Sequence, residues 1–485
     1  MAAHLLNRAG FGGSPDEIQK LADLGPDKAI SSLIDYEHIR GLSPDPVWAT
    51  PDPQRLENLR LAIKSAKPED VKVLRDQENK LQAQRINELR GWWFDRMAKG
   101  PRPFQEKMVL FWHGHFATSI EKVRGTPNSS YLMWRQNELF RRLATDNWLR
   151  LLIETGKDPA MLIYLDQAQS KKDHPNENYA REVMELFSLG EGHYTEHDIT
   201  EAARALTGWS YAPLEQKFVY RPTFHDEGTK TVLGLTGNLS GEDFLAQIVR
   251  QPQSARFITG KLWNYFSGQF PSDELNTALA TIFRENDNDF KPFLRVMFRS
   301  EEFYSDDIVR NEVKSPVQWL VGSARMLESD LPPPFICSAI TNSLGQSLFA
   351  PPSVKGWDGG TSWITTNTLL ERYNDAVTLV TGTAQQLSAQ DFARKQGGNG
   401  GEKLAKLAQR IHVGGVDVQK ILTPEQRADK DSIVASLQHR LFQTTLDTQK
   451  QDALRDFLDS KDKLSDTDIL TTIRLMMSTP EYQVT

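Results

Sequence analysis

Between His174 and Ser210 the chain spells two helices joined by a tight polar turn. In the first, Ala180, Val183, Met184 and Phe187 recur at helical spacing and form an apolar stripe, with Asp173 or Asn176 placed to cap it. Gly190 and Gly192 stop that helix. Thr195-Glu196-His197-Asp198 has the form of a capping box, and Ile199, Ala202, Ala203 and Leu206 carry a second stripe that runs out near Gly208-Trp209. Asn178, Glu182 and Glu185 share the adjoining face, because positions three and four apart are neighbours on a helix. Acids near helix starts offset the helix dipole, and Arg181 with Glu185 has the spacing of an i,i+4 ion pair. Asn176, Asn178, Tyr179 and two acids within ten residues exceed what capping requires, which makes this corner a candidate site.

The rest of the chain repeats the helical pattern. Two short helices flank Gly12-Gly13-Ser14-Pro15-Asp16, with Ser14 or Asp16 capping the second. Further helical stretches cover 55–99 with a break at Lys67-Pro68, Pro103–His113, 128–154, 241–266, 275–304, 313–328 and 367–379. Phe218-Val219-Tyr220 and Thr231-Val232-Leu233-Gly234 are β-prone and predict one hairpin near 216–235, with His225 to Gly228 between its strands. The expected fold is mainly α: a large multi-helix globular domain over 1–390, with a small β-hairpin. Lys395 to Gly401 reads as a linker to a helical segment, 402–485, packed on the main domain. Phe293–Tyr304 and Ile473–Tyr482 echo each other, each an apolar helix ending in serine, an acid and an aromatic.

Composition narrows the function classes. A hydrophobic content of 39% with 25% charged residues suits a packed core. A net charge of -7 and no basic cluster leave no electrostatic footprint for nucleic acid or a membrane surface. No stretch reaches the roughly 18 apolar residues of a membrane span, and the N-terminus lacks the apolar centre of a signal peptide. The one cysteine, Cys337, cannot form an internal disulfide, and its apolar context favours a core position.

Two kinds of chemistry fit the polar residues. In the first, Gly114 lets the chain leave its helix, so that His113 and His115 face the same way and join Glu182 and His225 as a nitrogen-oxygen set for Zn, Mn or Fe. No HExxH or other local metal motif is present, and the plain alternative is a pair of hydrogen-bonded histidines in an aromatic core. In the second, two carboxylates from Glu182, Glu185, Glu191 and Asp226 act as acid and base in glycoside cleavage, which requires a separation of about 5 to 10 Å. Glu182, Glu185, His115 and Asn178 are the catalytic candidates. Tyr179, Arg181, Trp209 and Trp357 are the substrate-binding candidates, and Trp363 is a further sugar platform whose plain alternative is core packing. Phosphate-binding, GxSxG and GxGxxG motifs are absent.

Several stretches resemble the bacterial domain-of-unknown-function 1800 family. They are Leu6-Asn7-Arg8-Ala9-Gly10-Phe11-Gly12, Phe111-Trp112-His113-Gly114-His115-Phe116, His174 to Glu182 with Glu185 to Gly190, Tyr194 to Asp198, Leu206 to Trp209, and Pro351 to Trp357 followed by Trp363. The resemblance covers nearly the whole chain and assigns no catalytic residues. It implies export and a neighbouring sulfatase-like protein as partner. The expectation is therefore a metal- or carboxylate-assisted hydrolase, acting on a glycan if the tryptophans are exposed. The rival is a non-enzymatic binding or assembly partner of the sulfatase-like protein, with the polar corner as a structural network.

Overall fold

Proline at the first helical position lacks an N–H that would go unpaired there, and its φ is preset for the helix. Among the described residues ten α-helices open that way, beginning at Pro15, Pro26, Pro53, Pro68, Pro103, Pro159, Pro252, Pro316, Pro334 and Pro424. The computed structural model describes residues 1–41, 44–382, 415–442 and 444–485, and within them are 24 α-helices and two two-stranded sheets. The N-terminal region holds three helices, Ala2–Ala9, Pro15–Asp23 and Pro26–Ile34, one more than the sequence reading expects. Ser14 caps the second of them in a complete capping box. The break at Lys67-Pro68 is present, between Pro53–Ser65 and Pro68–Lys99. None of the described helices is long and apolar enough to cross a membrane.

Helix Pro103–His115 runs through the middle of the core. All of its residues except Pro103 and Gly114 are buried, polar ones included. A helix surrounded on every side must pair its own polar groups. Glu106 takes hydrogen bonds from Arg141, Arg96 and Trp93, and Lys107 donates to Gln318 at 2.6 Å. Cys337 is buried and donates to the Pro332 carbonyl.

The β structure differs from the single expected hairpin. Strand β1, Trp209–Ala212, pairs with β2, Lys217–Tyr220, and strand β3, Lys230–Val232, pairs with β4, Leu235–Gly237. Leu233 and Gly234 form the turn between β3 and β4, with φ of 50° and 81°. Two consecutive left-handed residues make the tight turn whose twist matches a hairpin, so this pair ends a strand instead of extending it.

The echoed segments share local structure. Helix Phe290–Arg299 leads into the 3-10 turn Glu302–Tyr304, and helix Asp466–Met477 into the 3-10 turn Pro480–Gln483. Phe303 and Tyr482 are fully buried. Val484 bridges to Val313, and the Thr485 carbonyl accepts from buried Arg8 at 2.6 Å. Lys314 donates to the Tyr482 carbonyl at 2.7 Å. The expected linker, Lys395 to Gly401, lies outside the described residues. The contacts of Arg8, Val313 and Lys314 with the chain end support our proposal that the C-terminal helices belong to the main body.

Candidate functional site

The first helix of the hairpin is short, Asn178–Glu182, and continues as a π-helix, Val183–Ser188. A π turn is wider than an α turn and occurs mostly as single turns at functional sites. It shifts the backbone pairing, so that Leu189 N–H bonds to Met184 O, and carbonyls beyond it need other donors. Two other helices supply them, Pro103–His115 and Pro252–Ser267. His115 Nε2 donates to Phe187 O at 3.0 Å, Lys261 Nζ to Leu186 O at 3.3 Å, and Gln253 Nε2 to Leu189 O at 3.0 Å. Thr195 and Asp198 complete the expected capping box of helix Glu196–Ala205. Asn176 accepts from Asn178 N–H at 2.9 Å but does not cap the helix in the usual sense, since the residue at its cap position is Glu177.

Three stretches carrying the family resemblance meet at Gly114. A Cβ at Gly356, where φ is 84°, would collide with the Gly114 carbonyl oxygen. Trp357 lies 5.6 Å from His113, ring centre to ring centre, and His115 reaches the π turn. Phe257 packs at Gly190 and holds the Lys261 ammonium 5.0 Å above its ring. Burial, then the charge of Lys355, lowers the Lys261 pKa to about 8.

Helix Pro103–His115 continues through Gly114, which overturns the expected convergence of His113 and His115. Two positions apart on a helix is a rotation of about 200°, so the rings point nearly opposite ways. His113 Nε2 accepts from Phe349 N–H at 2.9 Å, among Trp93, Phe349 and Trp357. Burial and the charge of Arg90 lower its pKa to about 3. Burial and the charge of Lys261 likewise hold His115 well below the ordinary value, so both rings are neutral. His225 is buried and donates from Nδ1 to Thr207 O at 2.8 Å. The metal set of His113, His115, Glu182 and His225 is therefore not assembled, and no group of three or more His, Cys, Asp or Glu suited to a metal occurs among the described residues.

The aromatic candidates are mostly core. Tyr179 and Trp209 are buried, Trp209 against Phe218, and Trp363 is buried too. Trp357 is half-buried. A closed ring cannot stack on a sugar, which corrects the substrate role expected of Tyr179 and Trp209. Arg181 bonds both oxygens of Glu196, at 2.9 and 2.7 Å, and approaches Glu177; its expected pair with Glu185 does not form. Asp226 is held by Arg204 at 2.7 and 3.2 Å, which keeps its carboxyl below the usual range. Asn178, His174 and Glu191 are exposed.

Glu182 and Glu185 remain. Glu185 accepts from Tyr194 Oη at 2.8 Å. Tyr194 itself is pushed up by burial and by that carboxylate. Glu182 is half-buried, and among the described residues no hydrogen bond or ion pair reaches its carboxylate. Burial, then the charge of Glu185, raises its pKa, with only Arg181 opposing. The same charge bears on Tyr164, whose hydroxyl is raised by burial and by Glu182. Lys261 has no sequence signal as a neighbour of this corner, since it sits in a helix far along the chain, and Tyr164 ends the buried helix Pro159–Tyr164, where it reads as core. Cavities of about 650, 400 and 280 Å³ are lined by other residues.

No curated protein and no solved structure matches the chain. The profile of the family described as protein of unknown function (DUF1800) matches residues 4–484, and the chain belongs to that family.

Proposed function

We propose that the protein is a carboxylate-assisted hydrolase in which Glu182 is the general acid and Glu185 the base or nucleophile. The supporting observation is the unpartnered, half-buried carboxyl of Glu182 with its raised pKa, beside a second carboxylate fixed by Tyr194. Two neighbouring carboxyls in different surroundings can divide the roles of acid and base, the one raised by burial giving a proton and the one held by Tyr194 attacking or activating water. Cleavage of a glycosidic bond is the reaction that this division serves most directly: one carboxyl protonates the leaving oxygen and the other attacks or activates water. Buried Trp209 and Trp363 weaken the stacking argument, which leaves half-buried Trp357, so the glycan reading rests mainly on the acid pair. The test is an activity screen of the purified protein on aryl glycosides and polysaccharides. Hydrolysis should fall by roughly 10²-fold or more in Glu182→Gln and again in Glu185→Gln. Hydrolysis that survives both substitutions would reject the assignment.

One observation favours the rival. Most other charges of the hairpin are paired, with Arg181 on Glu196 and Glu177, and Arg204 on Asp226 and Glu201. A corner whose charges are mostly paired also suits a binding or assembly partner, for which the family resemblance suggests an exported sulfatase-like protein. Co-purification with such a protein, unchanged by Glu182→Gln, would support that reading over hydrolysis.

A further inference from the structure

The 650 Å³ cavity lies away from the Glu182 corner, among helices Pro68–Lys99, Ile120–Val123, Pro334–Ser343 and Thr366–Thr381. Its volume falls in the range of about 300 to 1,000 Å³ typical of small-molecule sites. Its wall carries amides, hydroxyls and charges with no aromatic ring: Asn87, Arg90, Ser338, Asn342, Ser347 and Asn374 are among the lining residues. An apolar ligand would strip water from these groups without replacing its hydrogen bonds.

Arg90 is the residue that needs a partner. Its Nε donates to Leu348 O at 3.0 Å, while the bonds to Asn87 at 3.3 Å and Ser347 at 3.4 Å are long. Among the described residues no carboxylate pairs with it; nearby Glu121 is joined to Arg124. A guanidinium has five N–H donors, so two of them are unspent. Burial lowers its pKa to about 10, the mark of a cation short of solvent and counter-charge. Two lining hydroxyls, Ser129 Oγ and Ser338 Oγ, also lack a hydrogen-bond partner among the described residues. Glu371 and Asp375 line the cavity from the helix Thr366–Thr381 and suit the hydroxyls of a ligand, not its acid group.

We propose that this cavity binds a small polyhydroxylated molecule bearing one carboxylate or phosphate, whose acid group takes the free N–H groups of Arg90 and whose hydroxyls meet the asparagine and serine side chains. A planar guanidinium matches either oxyanion with two parallel bonds. The inference is independent of the hydrolase reading, because none of its residues belongs to the Glu182 corner.

The test is calorimetric titration of the full chain with three probes: glucuronate, glucose 6-phosphate and glucose. At least one of the two anionic probes should bind and raise the melting temperature, and glucose should bind at least about tenfold more weakly, as loss of one charged hydrogen-bonded pair entails. Whichever anion binds tighter identifies carboxylate or phosphate as the group recognised. Arg90→Gln should abolish the preference for anions. Should that variant fail to fold, Asn342→Leu on exposed Asn342 carries the test and should weaken the anionic probe by a similar factor. Absence of binding by both anions, equal binding of glucose, or anion binding unchanged in folded Arg90→Gln or Asn342→Leu would overturn the proposal.

Discussion

Glu106 and Glu182 are both glutamates withdrawn from water on helices of this protein, and they meet opposite fates. Glu106 is buried and receives four donors: Arg141 Nε at 2.8 Å and Nη2 at 2.7 Å, Arg96 at 3.1 Å and Trp93 Nε1 at 3.0 Å. Burial pushes its pKa up, but Arg141 and Arg96 together outweigh burial and hold it below the usual range. Glu182 has burial without that compensation, and its pKa rises. A withdrawn charge that is fully paired belongs to the structure. One left without a partner costs stability and is what a functional group looks like. Among the histidines, Nε2 of His113 is taken by Phe349 N–H and Nε2 of His115 by Phe187 O, while His115 Nδ1 has no hydrogen-bond partner among the described residues.

The largest effect should come from breaking the saturated side. Glu106→Ala strips buried Arg141 of its main counter-charge, leaving it only Glu138 at the edge, and should cost about 3 kcal/mol in urea unfolding. A loss under about 1 kcal/mol would show that this network is not structural and would erase the contrast. Because the folded pKa of Glu106 is lowered, its contribution is present above the ordinary value of 4.5 and disappears as pH falls through the folded value. The gap between wild type and Glu106→Gln should therefore close on acidification.

Next comes Gly356→Ala, which forces a methyl onto the Gly114 carbonyl at a left-handed backbone position. It should cost about 1–3 kcal/mol and lower the melting temperature, since both strain and overpacking act there. It sharpens the comparison by separating packing of the family segments from the acid pair. A neutral Gly356→Ala would mean that the loop does not seat against Gly114. Tyr194→Phe removes a single bond to Glu185 and should cost about 0.5–1.5 kcal/mol. A larger loss in unfolding titrations would place Tyr194 in a network wider than that one bond.

Much of the fold was legible because its signals are local. Prolines mark helix starts, and the Thr195 box and the Val183, Met184 and Phe187 stripe are complete within a few residues. Leu233-Gly234 was misread because a β-branched run precedes it, while the paired positive φ that makes it a turn is a conformational choice. Gly114 reads as a break by residue type, yet tertiary burial of Met108 to His113 keeps the helix going past it. Arg181 prefers Glu196 on the second helix to Glu185 on its own, which only the hairpin geometry decides. The π turn has no sequence signature, so neither the roles of His115 and Lys261 as donors to its carbonyls nor the isolation of Glu182 could be read in advance. The polar cavity gathers residues from segments far apart in the chain, and only the stretch 55–99 among them reads as a solvated helix face.

The smallest expected effect is the most informative. Stability of wild type and Glu182→Gln should be compared by urea unfolding from acidic to alkaline pH. The folded pKa of Glu182 is raised, so its contribution is fully present below the ordinary value of 4.5 and is lost as pH rises through the folded value. The account expects the two proteins to be close at low pH and wild type to become the less stable as pH rises. A wild type that gains on Glu182→Gln with rising pH would mean that the ionised carboxylate is paired in the native state, and Glu182 would then be a structural residue like Glu106.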